Sequence, residues 1–503
     1  MITGRTVFSH DGSISFLAAA GQQDAWHLTT EPGSPHYPYG HWALAEHWER
    51  FLHADSSTSL RSIAWGLSRH DLHPPLYFWL LHYATQAVGV HVWTGALLNA
   101  SLDLLKIFVV FFAARYWLRD NSLAAIAALM WAISPAAVET MQEARHYSLF
   151  GLVGLCFGWQ YIRIIRRGGE PGAIDLVLLA LITGIGALTH YSFAMVAVGA
   201  VILAWFYADR TVISPTLASM AVGVIVATGI HPGLLAVFTH AGEVAAPMTL
   251  PALVERVLKV GYHLFDLWGR TIAGNVILAL ALVALLAAVV ARQRGGERLR
   301  AASATILGPE RNPFLLLALL VYALIGAAYL AFVVPRHAIG PQYVAPVWPL
   351  MAIGAVSTLR HVSARRWLIP VLLGLALANS AWLVAQFRAD HQRYQELVRT
   401  VRDYDLLLVD QVARGALLPL IHEMDPATSI FVAHPDDVIA RVDDWDPRLV
   451  EGNGRRAYVS NLFIDTGPED RRAIMQILRD RGWEVPEEPV PLFPNWVLFP
   501  LGR

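Results

Sequence analysis

The stretch VETMQEARHYSLF, Val138 to Phe150, places two glutamates, an arginine and a histidine between two long apolar runs. The runs, near 123–138 and 147–165, have within a few residues the length that a helix needs to cross a bilayer. Charge at the mouth of a membrane helix is costly unless a partner or a ligand satisfies it. The stretch therefore predicts a helical membrane protein with a polar site at one end of its helices.

The composition of the whole chain is typical of a membrane protein. Of its 503 residues, 55% are hydrophobic and 15% are charged, which is too apolar for an ordinary soluble protein. The formal net charge of −1 gives no basic field to attract nucleic acid, so we expect no nucleic-acid partner. Cys156 is the single cysteine, which excludes a disulfide within one chain.

The apolar stretches predict about ten membrane spans. They lie near 94–114, 123–138, 147–165, 173–189, 192–208, 216–238, 273–291, 313–334, 343–359 and 367–387. If the connecting loops alternate between the two sides, one set of loops contains fourteen lysines and arginines and the other set contains five. The positive-inside rule places the richer set in the cytoplasm. We therefore expect a multi-pass protein of the plasma (inner) membrane whose polar loops are extracytoplasmic.

Three domains are predicted, giving a polytopic α-helical membrane protein with a small C-terminal α/β domain. Residues 1–93 are rich in tryptophan, tyrosine, histidine and proline, which suits an extracytoplasmic loop with interfacial helices. Residues 94–387 form the helical bundle. Residues 388–503 form an extracytoplasmic α/β domain, because short β-rich runs alternate with helix-like stretches. The patch ISFLAAAG, Ile14 to Gly21, is too short to span, so we expect neither a signal peptide nor an earlier span.

Polar residues of the membrane region gather in a few islands on the outer side. The islands are HDG at His10–Gly12, HDLHPPLYF at His70–Phe78, QEARHYSLF at Gln142–Phe150, THYSF at Thr189–Phe193 and VPRHAIGPQYVAP at Val334–Pro346. Polar groups at one depth of a helical bundle usually line a water-accessible site. In combination, HPPLY, QEARHYSL and THYS resemble the bacterial C-type membrane glycosyltransferases, a group that includes protein O-mannosyltransferase-like and lipopolysaccharide sugar transferases.

The resemblance implies inverting transfer of a sugar from a polyprenyl-phosphate carrier to a glycan, lipid or protein acceptor on the outer face. Such a reaction needs a carboxylate to deprotonate the attacking hydroxyl and cations to hold the charge that grows on phosphate. Asp11 matches the acidic position of the family and is the expected base; the alternative is a surface or helix-capping aspartate. Gly12 replaces the second acid, and the family usually has a span ahead of this stretch. We therefore expect either an upstream segment or a departure in the first helix.

Arg145 is the residue expected to bind the phosphate, because a guanidinium stays charged and can form two parallel hydrogen bonds to phosphate oxygens. An ion pair with Glu143 or Glu139 at a helix start is the alternative. The resemblance also implicates Arg336 as a second cation, six residues before Gln342, where the family often has an arginine followed by tyrosine. The resemblance implies further contacts to lipid or sugar for Tyr147, His73, His190 and Tyr191. For each of these residues, the alternative is a structural role at a helix end.

The sequence leaves the cofactor open. A divalent cation, Mg or Mn, held by Asp11 and Glu143 with phosphate oxygens is the expected metal if one is bound. Zinc is disfavoured, because only His70 and His73 are closely spaced among the histidines of the first loop and the loop has no cysteine. Asp103 and Lys106, three apart in the first span, are expected to neutralise each other.

Two other function classes stay open. A transporter or flippase of lipid-linked sugar would usually show repeated halves, and this chain shows none. The other is an inactive scaffold of a cell-envelope glycan pathway, which the glycine after Asp11 would suit.

Overall fold

The computed structural model describes most of the chain and divides it into two compact units. The described residues are 9–71, 73–234, 249, 251, 254, 263, 267–268, 312–332, 341–361, 365–410, 417–461, 468–492 and 496–503. We call the first unit, comprising Met1–His70, Phe78–Gly95 and Gln386–Arg503, the sheet unit. The second, comprising Asp71–Tyr77 and Ala96–Ala385, is the helix unit.

Helices dominate the described residues. They are α1 (His10–Ala19), α2 (Gln23–Thr30), α3 (Ala45–Glu49), α4 (Leu60–Gly66), α5 (Leu76–Val88), α6 (Thr94–Leu118), α7 (Asn121–Ala132), α8 (Pro135–Gln142), α9 (Tyr147–Arg167), α10 (Ala173–Ala187), α11 (Phe193–Tyr207), α12 (Arg210–Ile230), α13 (Pro313–Phe332), α14 (Val347–Leu359), α15 (Arg365–Arg402), α16 (Leu417–Ile421), α17 (Pro435–Ala440), α18 (Val442–Glu451) and α19 (Pro468–Asp480). Short 3-10 or π turns lie at Arg50–Leu52, Leu67–Asp71, Pro232–Leu234 and Pro341–Val344. The strands are β1 (Trp42–Leu44), β2 (Leu406–Asp410), β3 (Ser429–Ala433), β4 (Arg456–Asn461), β5 (Val490–Pro491) and β6 (Trp496–Leu501).

The sheet unit contains a six-stranded mixed sheet in the order β1-β3-β2-β4-β6-β5. Its centre is parallel, with β2 paired to β3 on one side and to β4 on the other, and its outer strands are antiparallel. Every residue of β2 and β3 is buried, as the continuous apolar runs of central parallel strands require. The β-rich runs from which the C-terminal α/β domain was predicted coincide with β2, β3, β4 and β6.

Strand β1 joins the first loop to this sheet. Trp42 lies opposite Phe431, with the two ring centroids 5.8 Å apart. The backbone amide of Gly40 also donates to the carbonyl of Val432 at 2.8 Å. Residues of the first loop and of the C-terminal segment therefore form one compact unit, whereas the sequence placed 1–93 and 388–503 in separate domains. A strand of three residues is too short to show alternation, so this pairing could not be predicted from the local pattern of residues.

The helix unit contains the apolar helices. By length and hydropathy, four described helices could cross a membrane: Thr94–Leu118, Tyr147–Arg167, Arg210–Ile230 and Arg365–Asp390. Helices α7 and α8 meet at a bend of 49° and could form a fifth span. The bend lies at Pro135, which has no amide hydrogen to continue α7 but fits the first turn of α8.

Nine of the ten predicted spans fall on described helices, and the one near 273–291 lies outside the described residues. Several of these helices, such as α10, α11 and α14, are shorter than a full span. The total of ten therefore stays a prediction. Helix α15 continues to Arg402, well beyond the predicted end of the last span near 387.

Candidate functional site

Three imidazole rings meet in the helix unit. His73 precedes α5, His146 occupies the position just before α9, and His190 lies in the turn between α10 and α11. The ring centroids of His73 and His146 are 5.1 Å apart, and those of His146 and His190 are 4.7 Å apart. We call these three residues the histidine cluster. His73 and His190 stand far apart in sequence, so only the folded chain brings them together.

Two backbone features hold the loops of the cluster in place. The amide of Leu76, at the start of α5, donates to the carbonyl of Leu188 at 3.0 Å. This bond ties the residues after His73 to the end of α10. A Cβ at Gly186 would overlap the ring of Phe193, so glycine there permits the tight turn that carries His190.

His190 is held as a neutral imidazole. Its Nδ1 accepts a hydrogen bond of 2.9 Å from the backbone amide of Ser192, so the ring proton is on Nε2. The ring also stacks on Phe150, with centroids 4.6 Å apart and planes 13° apart. Burial, together with the neighbouring His73, lowers the pKa of His190 to about 3. Burial and the nearby His190, His73 and Arg145 likewise hold the pKa of His146 well below its usual value.

Asp71 orients the third histidine. Its carboxylate oxygen lies 2.9 Å from His73 Nδ1, and its backbone carbonyl lies 3.0 Å from the same atom. Asp71 is not among the site residues predicted from the sequence. The available signal was the HDLHPP motif, in which a carboxylate precedes the histidine by two residues. A carboxylate bound to one ring nitrogen fixes the direction in which the other nitrogen can act.

Arg145 lies in the segment between α8 and α9, and only 6% of it is exposed. Its backbone amide donates to the carbonyl of Glu143 at 2.7 Å. The side-chain amide of Asn99, on α6, contacts the carbonyls of Thr140, Glu143 and Arg145, at 3.3 Å for the first and last of these. The segment is thus anchored to α6, and it places a permanent positive charge next to His146.

A buried ion pair fixes the start of α9. Lys106 and Asp103 on α6 contact each other and are almost completely buried, which confirms the predicted internal pair. Ser148 Oγ donates to the second carboxylate oxygen of Asp103 at 2.7 Å. Lys106 Nζ lies 4.5 Å from the ring centroid of Trp131. Each charge therefore has polar or aromatic partners inside the bundle, as the apolar surroundings demand.

Tyrosines border the cluster on another side. The ring of Tyr147 is 6.3 Å from that of His190 and 6.3 Å from that of Tyr343. Tyr343 belongs to the 3-10 turn Pro341–Val344, and its ring is 6.2 Å from that of His190. Tyr191 packs against the apolar group Leu188, Ala227 and Leu234. These rings add flat apolar surfaces and hydroxyl groups beside the imidazoles.

The helix unit thus brings together five predicted site residues: His73, Arg145, Tyr147, His190 and Tyr191. Glu143 lies in the same segment as Arg145. Asp11 belongs to the sheet unit, where it stands half-buried in the first turn of α1 and its carbonyl accepts a hydrogen bond from Ser15 Oγ at 3.1 Å. Arg336 lies outside the described residues.

Among the described residues, no group of three histidine, cysteine, aspartate or glutamate side chains could hold a metal ion. His70 and His73 are close in sequence but belong to different units, and each contacts a carboxylate. His70 Nε2 lies 2.7 Å from Asp24 in the sheet unit, and its ring stacks on His27 at 4.0 Å. The cation predicted on Asp11 and Glu143 stays a prediction.

Part of the chain is similar in sequence to a known protein family. Residues 72–235 match the model of the dolichyl-phosphate-mannose-protein mannosyltransferase family. This segment contains the whole histidine cluster and Arg145. The chain is also 29% identical over 139 residues to the lipopolysaccharide core galacturonosyltransferase RgtA of Rhizobium johnstonii, and 26% identical over 141 residues to RgtB of the same organism. These alignments span 27% and 28% of the length of these curated relatives.

Structural comparison covers nearly the whole chain. The crystal structure of ArnT from Cupriavidus metallidurans in the apo state aligns with 99% of this chain and 94% of its own, at a TM-score of 0.54 and 14% sequence identity. At this identity the likeness concerns the fold alone. Together with the family match, it confirms the resemblance to C-type membrane glycosyltransferases that the motifs indicated.

Proposed function

We propose that the protein transfers a sugar from a polyprenyl-phosphate carrier to an acceptor on the extracytoplasmic face of the plasma membrane, with the lipid phosphate bound at Arg145 and the histidine cluster. The observation that carries the proposal is the position of Arg145. It is a permanent cation, almost fully buried, beside imidazoles that are held neutral. A phosphate ester supplies negative charge and several acceptor oxygens, which suit the N–H groups of a guanidinium.

The histidines have a defined task in this proposal. Because His190 uses Nδ1 as an acceptor, its Nε2–H is the hydrogen that it can donate to a phosphate oxygen. His73 differs from His190, because its Nδ1 faces two oxygens of Asp71 and so carries the ring proton, which leaves Nε2 of a neutral ring as a hydrogen-bond acceptor. Donors fixed before the substrate arrives stabilise the charge that develops on the leaving phosphate without further reorganisation.

The transfer itself is a single displacement. The acceptor hydroxyl oxygen forms a bond to the anomeric carbon while the bond from that carbon to the phosphate oxygen breaks, so the configuration inverts. The hydroxyl proton goes to the carboxylate of Asp11, and the polyprenyl phosphate leaves with the bonding electrons. The role of Asp11 rests on the resemblance and on its half-buried place in the first turn of α1.

The names of the relatives indicate which donors and acceptors to test first. The family is named for mannose carried on dolichyl phosphate, and RgtA and RgtB are named as galacturonosyltransferases of the lipopolysaccharide core. We therefore propose mannose and galacturonic acid as the first sugars to test, with a lipopolysaccharide core, another glycan, a lipid or a protein as the acceptor. Mg or Mn held by Asp11 and Glu143 is the cofactor to test by chelation, and the roles given to the other residues do not depend on it.

The arrangement of charges along the bundle supports the proposed sidedness. The histidine cluster lies at the start of α9 and of α11, whereas Arg119, Arg166 and Arg360 follow or end the helices at the opposite end of the bundle. The positive-inside rule places the arginine-rich end in the cytoplasm. The cluster would then lie at the outer-leaflet end of the bundle.

The direct test uses purified full-length protein in proteoliposomes with polyprenyl phosphate carrying labelled galacturonic acid or mannose. We expect label to leave the lipid and to appear on added lipopolysaccharide core. If label crosses the bilayer while still attached to lipid, the protein is a flippase. If the donor is neither cleaved nor moved with any sugar of the panel, a scaffold role is favoured and the proposal fails.

A further inference from the structure

A cavity lies at the end of the helix unit opposite to the histidine cluster. Its volume is about 810 Å³, and it is lined by the ends of α6, α9 and α11, by the first residue of α13 and by residues next to α12 and α14. Helix α9 begins beside the histidine cluster and ends at this cavity. Its 21 residues correspond to about 30 Å of helix, so the cavity is a separate site.

The walls of this cavity are positively charged. Arg119, Arg166 and Arg360 line it, against the single carboxylate of Asp209. Within the part of the chain that the structure describes, no carboxylate forms an ion pair with any of these three arginines. Three guanidinium groups facing one volume repel each other, and an anion between them would remove that repulsion.

Aromatic side chains surround the charged walls. Arg166 lies 4.8 Å from the ring centroid of Trp117 and 5.3 Å from that of Tyr116. Phe206, which lines the cavity, is 70% exposed, and its neighbour Trp205 is 69% exposed. Exposed aromatic rings beside arginines at a helix end are typical of the layer where lipid headgroups meet acyl chains.

We propose that this cavity binds the phosphate headgroup of an anionic phospholipid, with its acyl chains leaving over the exposed aromatic surface of α11. The shared chemistry, a phosphate held by guanidinium groups, would also suit a soluble phosphate compound. The open apolar surface next to the arginines favours the lipid, because a soluble ligand gains nothing from Phe206 and Trp205. Basic pockets between membrane helices on the cytoplasmic side are a known form of headgroup site.

The experiment measures lipid binding to the delipidated full-length protein by native mass spectrometry, with phosphatidylglycerol, phosphatidylcholine and inorganic phosphate as probes. The test variant combines Arg119→Gly, Arg166→Gln and Arg360→Gln. Arg119 has a φ of 55°, where glycine is not strained, so its replacement should not cost stability. We expect wild type to prefer phosphatidylglycerol to phosphatidylcholine and the variant to lose that preference, with a loss of affinity on the order of fivefold for each arginine.

Two matched variants separate the site from general charge and from misfolding. Arg115→Gln removes an exposed arginine one turn before Arg119 and outside the cavity, so it should leave the affinity for phosphatidylglycerol unchanged. Asp209→Asn removes the negative charge of the cavity lining but keeps a residue that is favoured at the start of a helix. It should therefore increase the affinity for phosphatidylglycerol. A misfolded protein cannot show this increase in affinity.

Two results would overturn the proposal. One is a triple variant that folds, as judged by its elution and circular dichroism, and binds phosphatidylglycerol as tightly as wild type does. The other is full displacement of phosphatidylglycerol by an equal concentration of inorganic phosphate, which would identify a site for soluble phosphate. Either result leaves the proposed sugar transfer at the histidine cluster untouched, because the two sites are at opposite ends of α9.

Discussion

His190 Nδ1 accepts a hydrogen bond of 2.9 Å from the backbone amide of Ser192, and this contact decides which ring nitrogen can donate a hydrogen bond to a substrate. With the proton on Nε2, the ring is a donor directed away from its own turn. The relationship predicts different results for two substitutions of similar size. Asparagine can keep the bond to Ser192 but has no group at the position of Nε2, whereas glutamine can place an amide near that position.

We expect His190→Asn to lower the turnover number for sugar transfer by about 10²-fold to 10³-fold, the usual effect of losing one fixed donor to a developing negative charge. His190→Gln should recover part of the rate. The comparison is made by steady-state assay with the labelled lipid donor. An unchanged turnover number in His190→Asn would leave His190 with a structural role only.

Arg145→Gln is expected to weaken binding of the polyprenyl-phosphate donor by about 10-fold to 100-fold, because a hydrogen bond to a charged group contributes about 1.5–3 kcal/mol. Isothermal titration with a short-chain polyprenyl phosphate in detergent measures the affinity. Arg210→Gln, which removes an exposed arginine at the start of α12, is the matched control and should bind as wild type does. Equal affinities for the two variants would remove Arg145 from the phosphate site.

Asp11→Asn should lower transfer by about 10²-fold to 10⁴-fold, the range expected for the loss of a general base. The N-terminal cap of α1 should stay intact, because Ser9 Oγ accepts a hydrogen bond of 3.0 Å from the amide of Gly12, and this bond does not involve the Asp11 side chain. Transfer rate and melting temperature are measured on the same preparation. A variant that melts as wild type does and transfers sugar at full rate would show that another group takes the proton.

Breaking the pair between Asp103 and Lys106 should destabilise the helix unit more than removing the pair as a whole. Asp103→Asn or Lys106→Met alone leaves an unpaired buried group and should cost about 3–5 kcal/mol of unfolding free energy. The double variant should be more stable than the sum of the single effects implies. Thermal unfolding in detergent of all four proteins gives the coupling free energy, and strictly additive effects would contradict a direct pair.

The sheet unit should lose stability in acid partly through Glu49. His422 Nδ1 lies 2.9 Å from its carboxylate, and this hydrogen bond is the main cause that lowers the pKa of Glu49. A carboxylate whose pKa is lower in the folded state contributes stability above its unfolded pKa of about 4.3, and the contribution disappears as the pH falls through the folded pKa. Melting curves from pH 7 to pH 3 should therefore fall less steeply for Glu49→Gln. Parallel curves for the two proteins would show that the pair does not contribute.

The sequence alone was sufficient to locate most helices and the central strands. The apolar runs of α6, α9 and α15, and the buried runs of β2 and β3, are local features, because burial on a helix or in a parallel strand imposes its pattern on consecutive residues. Motifs with fixed spacing, such as QEARHYSL, also predicted several residues of the candidate site and the resemblance to C-type membrane glycosyltransferases, which the comparisons support.

The tertiary structure decided which of these residues meet. The contacts of His146 with both His73 and His190, the pairing of β1 with β3, and the membership of Asp11 in the sheet unit all depend on how distant segments pack. Hydropathy is a property of neighbouring residues in the chain, whereas such contacts depend on helix bends, glycine positions and hydrogen bonds between segments. The sequence therefore determined the elements and the polar residues between them, and packing determined the cluster that those residues form.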